Sequence, residues 1–545
     1  MKEKITMIEL FSGIGAQERA LRQLDIPYEV IHTCDLDKDA VLSYAAMRND
    51  FEKEFNSYSF PSAENMIAEL QAKNVGYDFM KGKHTITSRT SINKLKQYYL
   101  ADKLSHNLGD ISKLERLPYA DITTYSFPCV DLSVAGRGNG MQNKCSSCGH
   151  SWPIDFSNAN NTVTCPNCGA TVSSSTRSGL LGQVQRLLSV AYDNNELPKY
   201  LLLENVKNLV GKKFKPQFDA WISWLDSIGY NTRYKILNAK HYGIAQNRER
   251  IFAISIRKDI DDGSFKFPEE ISLTTRLKDI LEKNVDEKYY LPDDRIDQIL
   301  SSTVMQKINK INDSTKNGTT ISEPHIVQKF GDRGTSQYSV RDYAHTIPAN
   351  PMSDRGQMVA EPQVLRAERT EYGKAIRKKY EAGEVYEKIS NMRELAPRTD
   401  GISNTITTLL KDNYVCEPAT EENEKYGIKV RNQATEFAGF DEVAGTLLAR
   451  DYKGFGNQEM NAVLESNSTD TKWRIRKLTT KCCWRLMGFT DSDHDKAAKY
   501  VSASALYKQA GNSICTCCLV AIFNSLFNND GSKSYADKLV NYNQP

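Results

Sequence analysis

The chain has 545 residues, 40% of them hydrophobic and 26% charged, with a formal net charge of +3. That composition excludes a disordered or collagen-like chain and supplies enough apolar side chains for two or more packed domains. A charge so close to balance also excludes a global basic field, so nucleic-acid binding would have to rest on local clusters of Lys and Arg.

Taken in chain order, the apolar run from Ile5 to Phe11 reads as a strand. The turn Ser12-Gly13-Ile14-Gly15-Ala16 follows, and then helical periodicity from Gln17 to Leu24. Gly13 and Gly15 permit positive φ and let a ligand lie close against the strand end and the first helical turn. A second strand, Tyr28 to Thr33, ends in Cys34-Asp35-Leu36-Asp37, which sets an acidic residue 20 positions after Gly15. Such a carboxylate can accept hydrogen bonds from both ribose hydroxyls of a nucleoside cofactor. Residues 50–100 read as a partly helical surface insertion, after which Gly109-Asp110-Ile111 completes a nucleoside-binding series.

In Ser126-Phe127-Pro128-Cys129-Val130-Asp131-Leu132-Ser133 a cysteine follows a proline at the end of an apparent strand, where a nucleophile would face a cleft. Tyr200 to Val206 is an apolar strand carrying Glu204 near its end, a costly place for a carboxylate without a task or a partner. Gln246-Asn247-Arg248-Glu249-Arg250 then leads into the strand Ile251 to Ile256. Arg248 and Arg250 stand at alternate positions, so on an extended segment both point the same way, toward a carboxylate or a phosphate.

Cys145 with Cys148 and Cys165 with Cys168 form two C-x2-C knuckles separated by 16 residues, each followed by a glycine, Gly149 and Gly169. The spacing predicts a structural four-cysteine zinc site in a ribbon over 141–176. It interrupts the segment between Gly140 and Arg177-Ser178-Gly179-Leu180. Two roles are open for it: a ribbon that moves with the loop after Cys129 and touches the ligand bound there, or a rigid staple that orders a long insertion.

Read together, Phe11 to Gly15, Phe127-Pro128-Cys129, Glu204-Asn205-Val206 and Gln246 to Arg250 resemble a DNA (cytosine-5) methyltransferase of the bacterial or phage type. The resemblance extends to Arg476-Lys477-Leu478-Thr479 with Arg485 to Phe489, and to Lys508-Gln509-Ala510-Gly511-Asn512-Ser513, in the family's order. It implies an α/β, Rossmann-like S-adenosylmethionine-dependent core over 1–257, with the insertion at 50–100 and the zinc ribbon inside it. An irregular, strand-containing target-recognition domain would cover 258–473, the core would resume over 474–527, and 528–545 would be a tail.

The resemblance also assigns roles. Cytosine C5 is a weak nucleophile, so the Cys129 thiolate would first add to C6 of a flipped-out base. Glu204 would protonate or hydrogen-bond N3, Arg250 with Arg248 would clamp base and acid, and Ser133 belongs to the segment that closes over them. The base that removes H5 is not identified. Phe11, Ser12, Gly13, Ile14 and Gly15 would hold the adenosine and methionine parts of S-adenosylmethionine, Asp35 the ribose, Leu36 the adenine face, and Asp110 with Ile111 its edge. Pro128 and Leu180 would line the same pocket, and Asn512 and Ser513 would close it.

Four positions depart from the family pattern. Val130 replaces the glutamine after the nucleophile, and Cys482 replaces a glutamate expected to brace the recognition domain against the core. Ala16 and Ala245 are small replacements for glycine and proline and are expected to be neutral.

Within 258–473 a loose repeat joins Ala344-His345-Thr346-Ile347, Ser403-Asn404-Thr405-Ile406 and Ala444-Gly445-Thr446-Leu447 to later Met358-Val359, Tyr414-Val415 and Ala462-Val463. Structural echoes, additional DNA-reading units and chance recurrence are all open readings. The expected partner is double-stranded DNA and the enzyme is expected to be a monomer; a functional pairing with a cognate restriction endonuclease and a solitary or phage-borne enzyme are both open. RNA cytosine-5 methylation is a second reading, opposed by the size of the recognition region. A catalytically silent zinc-ribbon DNA-binding protein is a third, opposed by the joint retention of Cys129, Glu204 and Arg250. No stretch approaches 18 uninterrupted apolar residues and the cysteines include clusters such as Cys482-Cys483 and Cys517-Cys518. No membrane span is therefore expected, and the location expected is cytoplasmic and nucleoid-associated.

Overall fold

Alternate residues of the core strands enter two separate apolar clusters, as the period-2 geometry of a strand requires when both faces of a sheet are covered. Met7, Leu202, Phe252 and Ile254 face one cluster. Ile8, Leu10, Leu201, Leu203, Ile251 and Ala253 face the other. A computed structural model describes residues 4–290 except 80, 130–131, 133–139, 146, 157–162, 173, 176 and 283. It also describes the backbone of eight strands between 326 and 477, and residues 478–528 and 534–540.

The central sheet has six strands: β1 (Ile5–Leu10), β2 (Tyr28–Cys34), β3 (Ile122–Tyr125), β4 (Tyr200–Val206), β5 (Tyr230–Asn238) and β6 (Glu249–Arg257). Their order is β5-β6-β4-β3-β1-β2. The run β4-β3-β1-β2 is parallel, and β6 lies antiparallel to both β4 and β5. This is a Rossmann-like α/β core of the expected class, and the carboxyl ends of its parallel strands open on one side, where such sheets bind ligands.

The helices α1 (Ala16–Gln23) and α2 (Lys38–Arg48) follow the first two strands. Asp37 caps α2 by accepting from the Asp39 and Ala40 amides, which starts the helix directly after the β2 turn. The 50–100 stretch is less superficial than the composition suggests. Its helices α3 (Phe51–Ser57), α4 (Ala63–Ala72) and α5 (Ile92–Leu104) send Phe51, Met66, Leu70, Leu95 and Leu100 into the same cluster as Met7. On the opposite face lie α6 (Leu181–Asp193) and α7 (Lys215–Ser227), the latter with Pro216 in its first turn, where no amide donor is needed.

The C-terminal helices α8 (Thr480–Arg485), α9 (Asp491–Ala498), α10 (Ala503–Asn512) and α11 (Thr516–Phe527) return to the first cluster. Among the described residues no single helix is long and apolar enough to cross a membrane; α10 and α11 form an apolar bent pair whose side chains are largely core. Phe265 and Ile280 are buried in the core although they fall in the stretch assigned to recognition, and Tyr535 of the expected tail is buried with them. The recognition region contributes an antiparallel sheet of five strands, β7 (Gln363–Arg369), β8 (Arg393–Arg398), β9 (Tyr414–Pro418), β10 (Ala462–Ser466) and β11 (Trp473–Lys477), ordered β8-β7-β9-β11-β10. The Tyr414 and Ala462 halves of the loose repeat are thus strands of one sheet, whereas Ala344 to Ile347, Met358-Val359 and Ala444 to Leu447 lie outside the described residues.

Candidate active site

The glycine turn leaves β1 with Phe11 at φ 57°, Gly13 at 53° and Gly15 at 74°, a run of left-handed backbone that turns the chain back over the sheet. A Cβ added at Gly13 would meet nothing within 4 Å, so bare backbone faces open space there, as a ligand cradle requires. At Gly15 the same atom would lie 2.2 Å from Arg48 Nη2 and 2.4 Å from Tyr44 Cε2. Those two side chains hold the turn from below. Arg48 donates to the carbonyls of Gly15 at 2.8 Å and Ile14 at 3.3 Å while pairing with Glu18 at 2.6 Å. Tyr44 donates to Glu9 at 2.7 Å, and burial pushes the Glu9 carboxyl up to about 7.

Asp35 lies beside this turn. Its carboxylate accepts from the Gly13 amide and the Asp37 amide, both at 2.8 Å, which leaves about two of its four lone-pair sites for ribose hydroxyls. Burial, and next the charge of Asp37, push Asp35 up to about 6. Ser12 and Ile14 are buried, and the Phe11 and Ser12 amides bond the Cys34 carbonyl, so the β1 and β2 turns are tied together. Phe11 and Leu180 pack against one apolar cluster that also contains Ile111. A carboxylate with free lone pairs beside apolar side chains fits a nucleoside, hydroxyls on the one and the flat ring against the other. Asn512 is exposed at the end of α10, while Ser513 is buried and its carbonyl serves Arg248 instead.

Sequence reasoning missed the residue that joins the two adenosine-side turns. Asn107, buried, accepts from the Asp35 amide at 2.9 Å and the Gly109 amide at 3.2 Å, and donates to the Asp35 carbonyl at 3.1 Å. The 50–100 stretch adds Asn74, which donates to Asp110 at 2.7 Å, and Lys73, whose carbonyl accepts from the Asp110 amide at 2.9 Å. Gly109 (φ 79°) must be glycine here, because a Cβ would come within 2.4 Å of that Lys73 carbonyl. No local motif marks these residues; only Asn107's place two residues before Gly109 hinted at it.

At the other end of the cleft, β3 and β4 run in register as far as Tyr125 opposite Leu203, which brings Ser126 and Glu204 together just beyond. Ser126 Oγ donates to Glu204 Oε2 at 3.0 Å, and Arg250 Nε, from the antiparallel β6, reaches Glu204 Oε1 at 3.3 Å. Cys129 is in the electrostatic range of Arg250, Glu204 and Arg248. Burial raises its thiol above the ordinary range, and the two guanidinium groups oppose that shift. Arg248 is buried and donates to the carbonyls of Ser513 at 2.6 Å and Gly511 at 3.4 Å; burial, and next the Arg250 charge, push it down to about 9. Glu204 and Arg250 are thus paired at the ends of adjoining strands, with Cys129 and Arg248 near enough to feel their charge, whereas Ser133 and Val130 lie outside the described residues.

The loss of a glutamate at Cys482 is made good from elsewhere. Glu282 accepts a hydrogen bond from Thr479 Oγ1 and faces Cys482 Sγ at 4.0 Å, so a carboxylate still ties this helix to the segment leading into the recognition region. Arg485 fixes the same segment through the Ile280 carbonyl at 2.8 Å. The recognition region also touches the core backbone directly, since Gln246-Asn247 pairs in parallel with Ser403-Asn404 of the second repeat.

The four ribbon cysteines converge. Their Sγ atoms all lie within 4.8 Å of one another, with Cys145 to Cys168 and Cys148 to Cys165 at 3.6 Å. Such a group could hold a metal ion.

The sequence profile of the family described as C-5 cytosine-specific DNA methylase matches residues 63–147 and 170–528, passing over Cys148, the stretch between the two knuckles and the second knuckle. The type II methyltransferase M2.ScrFI of Lactococcus lactis subsp. cremoris is 28% identical over 96% of this chain and 99% of its own. The orphan methyltransferase M.SPBetaI of Bacillus phage SPbeta is 27% identical over 96% of this chain and 97% of its own. The solved Dnmt2 methyltransferase of S. pombe aligns over 97% of this chain and 100% of its own, at 14% identity and a TM-score of 0.41. This chain belongs to the C-5 cytosine-specific DNA methylase family, whose chemistry is S-adenosylmethionine-dependent methylation of a flipped-out cytosine through a covalent cysteine adduct.

Proposed function

We propose that this protein is a site-specific DNA methyltransferase that methylates C5 of cytosine in duplex DNA, with a structural zinc ion at Cys145, Cys148, Cys165 and Cys168. The observation that carries the reading is a Glu204 held by both Ser126 and Arg250 at the end of the strand beside the one that leads to Cys129. The family's description supports DNA as the target, and the long stretch between Glu282 and Trp473 supplies material for reading bases in a groove.

Bound S-adenosylmethionine would supply an electrophilic methyl group, with Gly13, Asp35 and Asp110 holding the nucleoside. Cys129 must first lose its proton and then add to C6, which pushes charge toward N3 and O2 of the ring. Glu204 stands ready to protonate or hydrogen-bond N3, and Arg250 fixes the orientation of its carboxyl group. After methyl transfer H5 is lost, and Cys129 departs with the electrons of its C–S bond. The raised thiol of the free enzyme makes deprotonation part of the activation, so adduct formation should accelerate with rising pH past the ordinary thiol range.

Cytosine-conversion sequencing of DNA from cells expressing the protein, beside cells expressing Cys129→Ser, tests this. Protection at one sequence context that vanishes in the variant is the expected result. Unprotected DNA accompanied by protected cytosines in RNA would transfer the same chemistry to RNA.

A further inference from the structure

The ribbon's attachment to the core ties it to the nucleophile. Its root is a three-stranded sheet in which 142–144 pairs with both 151–153 and 174–175. Met141 and Phe156, at the ends of the root, are fully buried in the cluster that contains α6 and α7. Gln217 of α7 donates to the Met141 carbonyl at 2.8 Å and the Ile154 carbonyl at 3.2 Å, and Gln185 of α6 donates to the Phe156 carbonyl at 2.8 Å. The Phe156 ring stands edge-on to Trp221 at 5.7 Å. A root held by this many buried contacts is a fixed part of the core, which favours the staple over a ribbon that travels with a loop.

The tip is built twice over to one plan. The Cys145 amide bonds the His150 carbonyl and the Gly149 amide bonds the Cys145 carbonyl, at 2.8 and 2.9 Å. Cys165, Ala170 and Gly169 repeat the pattern at the same distances. Tetrahedral zinc with thiolates at about 2.3 Å needs sulfur atoms about 3.8 Å apart, close to the 3.6 Å observed.

The ribbon leaves through Ser174–Ser175 into the short turn Arg177–Leu180. There Ser178, fully buried, donates its hydroxyl to the Pro128 carbonyl at 2.7 Å. That carbonyl and the Cys129 amide belong to one planar peptide, so holding the oxygen sets the axis about which Cys129 turns. Asn205 holds the preceding carbonyl, Phe127, at 2.9 Å, and the Leu132 amide bonds the Cys129 carbonyl at 2.9 Å.

We propose that the metal-held ribbon positions the nucleophile: the ion at the four cysteines closes the tip, the closed tip keeps 174–175 paired to the core-held 142–144, and that pairing sets Ser178 against the Pro128–Cys129 peptide. Ser178 is then a positioning residue for Cys129. The proposal rests on the zinc and methyltransferase readings above.

Three measurements on the full-length protein test it: zinc per chain, the rate at which iodoacetamide alkylates Cys129 followed on its own peptide, and the rate of covalent adduct with duplex DNA carrying 5-fluorocytosine, whose fluorine blocks release. One zinc per chain is expected. Ser178→Ala should keep the zinc and the S-adenosylmethionine affinity, alkylate faster at Cys129, and form adduct about tenfold more slowly; Ser178→Thr should restore both rates. Chelated protein should behave as Ser178→Ala does. Cys129 rates insensitive to both Ser178→Ala and chelation overturn the proposal, as does protein that folds with no metal. Wild-type protein that forms no adduct with any DNA sinks the methyltransferase reading alone, because alkylation still decides the ribbon's role.

Discussion

The two ends of the cleft are held by different means. At the proposed cofactor end the turns are cross-braced from segments far apart in the chain, mostly by polar side chains that hold backbone amides, through Gly13, Asp35, Asn107, Gly109 and Asp110. At the proposed base end the groups are charged side chains at strand ends: Glu204 held between Ser126 and Arg250, and Arg248 buried against the Ser513 carbonyl. Backbone bracing fixes a shape that waits for a ligand. Charge placement tunes reactivity, so damage there should spare cofactor binding and remove chemistry.

The sharpest way to break the comparison is Glu204→Gln, which keeps the shape and removes the acid. Methyl transfer in a single turnover should fall by about 10²–10⁴, while S-adenosylmethionine affinity, measured by calorimetry, stays near the wild-type value. An equal loss of cofactor affinity would show that the two ends are one coupled site. Asn107→Ala attacks the other end. It strands the buried amides of Asp35 and Gly109, at a cost of about 2–4 kcal/mol, and should lower both the urea midpoint and cofactor affinity.

A gentler probe is pH. Because Asp35 is raised to about 6 in the free protein, its ionised form, the one that accepts from both ribose hydroxyls, is lost as pH falls through that value. Cofactor affinity should be nearly flat above pH 7 and about tenfold weaker at pH 5, with Asp35→Asn weak and flat throughout. A wild-type profile without that inflection would remove Asp35 from the ribose. The smallest effect is expected at the brace that replaces the missing glutamate: Glu282→Gln should cost about 1–2 kcal/mol of stability in urea unfolding, with little change in cofactor binding.

Much of the site was legible from the chain because its signals are local. A strand, a glycine turn and a helix within 24 residues of the start, a cysteine after a proline, and two C-x2-C knuckles each announce themselves within a few positions. Continuous apolar runs likewise marked core strands, and the departures at Val130 and Cys482 were visible as departures.

What the chain alone could not disclose are the contacts made across long separations. Lys73 and Asn74 were part of an insertion with no evident task until the fold set them against Asp110. Cys482 read as a lost brace until Glu282, 200 residues earlier, was found facing it. Ser178 carried no signal until its hydroxyl met Pro128, 50 residues away. Local sequence determines which backbone conformations and reactive groups are present, because turns, strand periodicity and ligand spacing act within a few residues. Which partner satisfies a buried carboxylate or carbonyl is decided only when packing removes water from it, and that choice belongs to the tertiary structure.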